Sequence, residues 1–151
     1  MKRSQALAPL SREHHVALEV ALRLRRADEG GAAAARSRFL DFFAAEGEAH
    51  FAAEEEILLP AVADVAPPGD PDVVRVLHDH AEIRRRAADL ERDAGAAVEQ
   101  LHALGDLLEG HVRHEERVLF PRIEAALDDA RLTLLASDLQ AAGGDHRPPR
   151  V

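Results

Sequence analysis

The sequence predicts an all-α protein, an up-down antiparallel four-helix bundle with a short extra C-terminal helix. Three observations predict it. Ala, Leu and charged side chains fill a chain of 151 residues that is 46% hydrophobic and 31% charged, and these residue types lose little freedom in a helix. Turn signals cut the chain into helix-length segments with short connections, which sets consecutive helices side by side and antiparallel. No segment carries the sustained polar–apolar alternation of a strand.

The elements follow in order. Pro9 and Ser11 mark a helix start, and Gly30-Gly31 a stop. Ala32 to Leu59 reads as the second helix, with Pro60 near its end. The run Ala66-Pro67-Pro68-Gly69-Asp70-Pro71 is a loop, in which Asp70 caps the next helix and Pro71 takes its first position. Val73 to Arg92 is the third helix, ending near Gly95, and Ala96 to Phe120 the fourth, followed by Pro121. A fifth helix, Asp129 to Gln140, starts after the cap Asp128. Residues 1–142 are expected to form the bundle, and residues 143–151 a polar, Pro-containing tail.

Composition narrows the function. The chain has the size of one domain with one core. Aromatic residues are only 3% and Trp and Tyr are absent, so Ala, Leu and Val must supply the packing. A net charge of -9 argues against nucleic acid and anionic membrane surfaces as partners. The absence of Cys excludes disulfides, thiolate catalysis and Fe–S ligation. No apolar run approaches the ~18 residues of a membrane span. Met1 to Leu10 has no apolar stretch of a signal peptide, so a soluble cytoplasmic protein is expected.

The chain contains an internal repeat. His50-Phe51-Ala52-Ala53-Glu54-Glu55-Glu56-Ile57-Leu58-Leu59-Pro60 aligns without gaps on His111-Val112-Arg113-His114-Glu115-Glu116-Arg117-Val118-Leu119-Phe120-Pro121. Upstream, Glu13-His14 matches Asp79-His80. Two helix pairs therefore each carry a lone His followed by His-x-x-x-Glu.

A helix advances ~100° per residue, so residues four apart face the same way. His50 and Glu54 share a face, as do His111 and Glu115. Phe39, Phe43 and Ile57 fall within ~20° of His50, and Leu104 and Val118 equally close to His111. Val73, Val76, Leu77, Ile83 and Ala87 surround His80, while Leu10, Leu18 and Ala21 surround His14. All four histidines thus sit inside apolar stripes, where imidazoles and carboxylates need partners. Four His and two Glu aimed at one bundle axis are resolved by metal ions. The carboxylates neutralise and bridge, the imidazoles complete each coordination sphere, and positions stay open for a ligand.

The expected metal ligands are therefore His14, His50, Glu54, His80, His111 and Glu115. His15, at the stripe's edge beside His14, His114, one turn after His111, and Glu46, one turn before His50, are candidates of lower rank. His78, His102 and His146 are read as solvated. Glu55 and Glu116 lie ~140° from the histidines of their own helices and read as surface residues. Glu13 and Asp79 read the same way, with a supporting role behind the ligands as the alternative.

These residues resemble the hemerythrin-like (HHE cation-binding) family. The resemblance runs over residues 7–127 and rests on Ser11 to Leu18, the two His-x-x-x-Glu-Glu blocks and Asp79-His80. It implies a four-helix bundle around a non-haem di-iron centre, two iron ions with an oxo or hydroxo bridge. The ligands it implies are His14, His50, Glu54, His80, His111 and Glu115, with both glutamates bridging. Family members bind dioxygen, sense oxygen or iron, or handle peroxide and nitric oxide. This chain departs from the oxygen carriers at Val76, where they have a further His. It departs again at Glu115, since they place the fourth-helix carboxylate at the spacing of Glu116.

The expected function is a di-iron protein that binds dioxygen or nitric oxide for sensing or delivery. The alternatives are an oxidoreductase acting on peroxide or nitric oxide, and iron buffering. The lack of Tyr, Trp and Cys disfavours radical chemistry on organic substrates but not peroxide disproportionation by the metals, and a metal- and ligand-binding protein is expected before an enzyme. The donor set by itself also admits zinc, manganese or cobalt.

Overall fold

A computed structural model describes residues 2–144. The expected tail beyond Gly144, with His146, lies outside the described residues. Among the described residues every regular element is helical. Helix α1 spans Ala8–Arg25, with Pro9 in its first turn. Helix α2 is a rod over residues 32–61 in which α segments alternate with π turns at Phe43–Gly47 and Glu54–Leu58. Helix α3 spans Pro71–Arg92, and Asp70 Oδ1 accepts a hydrogen bond from Asp72 N at 2.9 Å as its cap. Helix α4 covers residues 98–126, with a π turn at Glu115–Leu119. Helix α5 spans Asp129–Gly144, four residues beyond the expected end at Gln140. Asp128 caps it by accepting from Arg131 N at 2.8 Å.

Pro60 lies near the end of α2, which stops at Ala61, as expected, whereas α4 runs through Pro121 to Ala126 instead of stopping there. Each proline sits just after a π turn, where the regular ladder is already offset by one residue, so its missing N–H breaks little more. The same turns correct the expected faces. Ile57 and Val118 were counted as inward. The extra residue in each π turn moves that face on by one, so Leu58 and Leu119 are fully buried while Val118 is 43% exposed. Leu77 is likewise exposed, not packed around His80.

Side-chain contacts pair ascending numbers on one helix with descending numbers on its neighbour. Arg25 meets Asp106 while His14 meets Glu116. Glu13 meets His50 while Glu19 meets Arg38. Glu55 meets His80 while Arg36 bonds to Leu90 O. Asp72 meets Arg122 while Asp79 meets His111. Helices α1 and α4 approach closely at Gly105, where a Cβ would lie 2.6 Å from Arg25 Cγ and 2.8 Å from Ala21 O.

Two apolar cores fill the molecule. One contains Leu24, Phe39, Phe51, Ile83, Leu104 and Leu108. The other contains Leu10, Leu58, Val76, Leu119, Phe120 and Leu135. Buried polar residues mark the border between the two cores: His14 on α1 and His80 on α3 fall between them, as do Glu54 on α2 and Glu115 on α4, while His50 and His111 each sit one residue before Phe51 and Val112, which border the layer from the first core. The middle of the bundle is thus a buried polar layer between two dry ends.

Candidate metal centre

The polar layer contains His14, His50, Glu54, His80, His111 and Glu115, none more than 7% exposed and both glutamates at 0%. Their donor atoms form two groups. His14, His50, Glu54 and Glu115 make one, and His80, His111, Glu54 and Glu115 the other, with all ligand atoms of a group within 4.8 Å of one another. The two glutamates belong to both groups. The closest approaches are 2.9 Å from His50 Nε2 to Glu54, 2.9 Å from His111 Nε2 to Glu115 and 3.1 Å from His14 Nε2 to Glu115. His80 Nε2 stands 3.5 Å from Glu54 and 3.8 Å from Glu115.

These approaches lack hydrogen-bond alignment. The four Nε2 atoms and all four carboxylate oxygens of Glu54 and Glu115 are buried without a hydrogen-bond partner. Leaving one buried polar atom unmatched costs about 1–3 kcal/mol. Eight of them converging on one layer is a heavy penalty unless another species joins them. Two dications suit the donor set, because two anionic carboxylates offset part of their charge and neutral imidazoles fill the remaining positions.

The other edge of every imidazole is held by a carboxylate. Glu13 Oε2 lies 2.7 Å from His50 Nδ1, Glu55 Oε2 2.7 Å from His80 Nδ1, and Glu116 Oε1 2.7 Å from His14 Nδ1. Asp79 Oδ2 lies 3.3 Å from His111 Nδ1. With Nδ1 donating to a carboxylate, Nε2 is the lone-pair nitrogen turned to the layer, the tautomer a metal needs. The rings are also packed. Phe51 stacks on His80 at 3.9 Å between centroids, and Phe120 on His14 at 5.4 Å.

This corrects the surface reading of Glu55 and Glu116 and favours the alternative given for Glu13 and Asp79, a place behind the imidazoles. Glu13, Glu55, Asp79 and Glu116 are not merely solvated surface groups. Each serves the imidazole of a neighbouring helix, which the periodicity of its own helix does not reveal. The repeat did carry the signal, an acidic residue before each lone His and after each of Glu54 and Glu115.

The lower-ranked candidates fall elsewhere. His15 and Glu46 are exposed. His114 is buried, but its Nε2 faces Asp72 Oδ1 at 3.6 Å, away from both groups. His78 is exposed as expected. His102 is half-buried, its Nε2 2.7 Å from Ala27 O. Val76 is fully buried in the apolar core, so no third His joins His80 and His111.

Electrostatics match the donor count. Burial pushes each imidazole toward its neutral form, but the surrounding carboxylates overcome it. His111 is raised to about 10, against burial, by the Glu115 charge and by Asp79. His80 is raised to about 9, against burial, through Glu115 and Glu54. His14 and His50 are raised by the same kind of contact. Glu116 is held at about 2, against burial, by His14, Ser11 and Arg3. Without a metal, protons are the cations that this acidic layer collects.

Beside the layer lies a small pocket of about 20 Å³, lined by His14, His50 and His111 and by Phe42, Phe43 and Phe51. Such a volume has room for one water-sized molecule.

An all-helical fold around two buried His/Glu donor groups defines a metal-binding helical protein. Residues 6–123 match the sequence model of the hemerythrin HHE cation binding domain, and the chain belongs to that family. No curated protein and no solved structure matches the chain. No helix among the described residues is long and apolar enough to cross a membrane.

Proposed function

We propose that this is a non-haem di-iron protein of hemerythrin type, an up-down four-helix bundle that binds dioxygen or nitric oxide for sensing or delivery. His14 and His50 hold one ion and His80 and His111 the other, with Glu54 and Glu115 shared between them. The observation that carries this reading is the pair of four-donor groups with both glutamates in common. Iron prefers more than four donors, so four protein atoms per ion leave positions for a small ligand. When bound, such a centre supplies reversible electron donation to a diatomic molecule.

The chain's own residues do the rest. The outer carboxylates fix the imidazole tautomer, the two apolar cores exclude bulk water, and the small pocket limits the ligand to a few atoms. Tyr, Trp and Cys are absent, so no side chain nearby offers an easy radical or thiol to the ligand.

The test is a visible spectrum of iron-loaded protein in air and after evacuation. A band that appears in air and fades under vacuum supports reversible binding. A spectrum that stays oxidised while peroxide or nitric oxide is consumed turns the reading to an oxidoreductase.

A further inference from the structure

A groove of about 560 Å³ runs outside α1 and α2 and beneath α5, with Pro9, Ala49, Ala53, Leu139 and Ala142 among its walls. It lies against the small pocket of about 20 Å³ beside the imidazoles. Glu13, Glu46 and His50 line both spaces and so form the partition between them. His50 is 7% exposed, and its Nε2, like those of His14 and His111 farther in, has no hydrogen-bond partner.

The charges on this side are unbalanced. Glu13, Glu46 and Glu56 line the groove, and no Lys or Arg does. Elsewhere around the layer the outer carboxylates meet arginines. Arg84 bonds to Glu55 at 2.8 and 3.0 Å, and Arg3 to Glu116 at 2.8 Å. Among the described residues Glu46 and Glu56 make no ion pair within 4.0 Å, and Glu13 meets only His50. The partition is therefore negative, while the chamber behind it is largely apolar.

We propose that this groove is the mouth of the centre and that its carboxylates select by charge, passing neutral molecules and turning small anions away. The selection rests on the reading of the His/Glu layer as a ligand-binding metal centre. Two unpaired carboxylates, Glu46 and Glu56, beside Glu13, which meets only His50, focus a negative potential around this opening over about one Debye length, roughly 10 Å. A neutral diatomic molecule does not feel it, but an azide ion must climb it. Glu46 is the residue to change, because it lines both spaces and touches none of the imidazoles.

The experiment measures association rates of azide and of nitric oxide with iron-loaded protein by stopped-flow absorbance. The variants are Glu46→Lys and Glu56→Lys. Glu29→Lys makes the same charge change in the exposed turn after α1 and serves as control. At low ionic strength the two mouth variants should each speed azide about three- to tenfold, fading at high salt, with nitric oxide within about twofold. The control should leave azide within about twofold. Azide rates unchanged in both mouth variants, equal gains in the control, or nitric oxide rising together with azide overturn the selective mouth. Wild-type protein that holds iron and gives no azide-dependent band, or that holds no metal, sinks the underlying reading of the centre instead.

Discussion

Glu116 Oε1 on α4 lies 2.7 Å from His14 Nδ1 on α1, and this contact closes a ring. Glu13 of α1 holds His50 of α2, Glu55 of α2 holds His80 of α3, and Asp79 of α3 holds His111 of α4. Each helix lends a carboxylate to the imidazole of the next. The ring follows the sequence repeat, since Glu13–His50 and Asp79–His111 are equivalent pairs, as are Glu55–His80 and Glu116–His14.

The ring should set metal affinity without supplying a donor. Glu55→Gln and Glu116→Gln each remove a charge from an Nδ1 partner and should weaken metal binding about 10- to 100-fold. Glu48→Gln, which loses only a contact with Arg84 at 2.8 Å, should change affinity less than about threefold. Competition with a chromophoric chelator measures all three. Equal affinities across the set contradict a supporting role for the ring.

The metal-free protein should become less stable as the pH rises. His80 and His111 move from an ordinary value of 6.5 up to about 9 and about 10. A raised folded-state value gives stability that is complete below the unfolded value and lost as the pH climbs through the folded one. The melting temperature should fall between about pH 7 and pH 10 in the metal-free protein, and far less in the loaded one, whose imidazoles are already neutral. Circular-dichroism melts across this window check it. A metal-free melting temperature that rises over the same range contradicts the assignment.

Metal loading should expel those protons. With His80 raised to about 9 and His111 to about 10, an ion between them displaces a proton from each at pH 7.5, so zinc affinity at that group should gain about one to two decades per pH unit between pH 6 and 8. Titrations at several pH values give the slope. An affinity independent of pH would mean that the imidazoles do not bind.

Gly105→Ala tests the packing apart from the site. The new Cβ would meet Ala21 O at 2.8 Å and Arg25 N at 3.0 Å, and backbone cannot step aside as a side chain can. A loss of about 1–3 kcal/mol is expected in denaturant unfolding. The folded fraction should keep its metal. An unchanged midpoint would show that α1 and α4 are not in this contact.

Much of this was legible in the sequence. The helices follow from Gly, Pro and Asp punctuation, and the capping aspartates 70 and 128 act as their positions suggested. The six residues brought into the polar layer are those that spacing and repetition singled out, and His14 rather than His15 faces inward because the stripe of α1 passes through it. What the sequence hid came from two sources. Contacts between helices give Glu13, Glu55, Asp79 and Glu116 their partners, and no single-helix count includes them. The π turns move the inward face by one residue, which exposes Val118 and buries Leu119.

The most direct test of the central claim is metal content per chain in iron-loaded protein and three variants. Wild-type protein should carry about two ions. His50→Ala should lose one group and keep about one ion, whereas Glu54→Ala and Glu115→Ala, which damage both groups at once, should each fall below one. Less than one ion in the wild-type protein, or two ions retained in either glutamate variant, would contradict a centre built on two shared carboxylates.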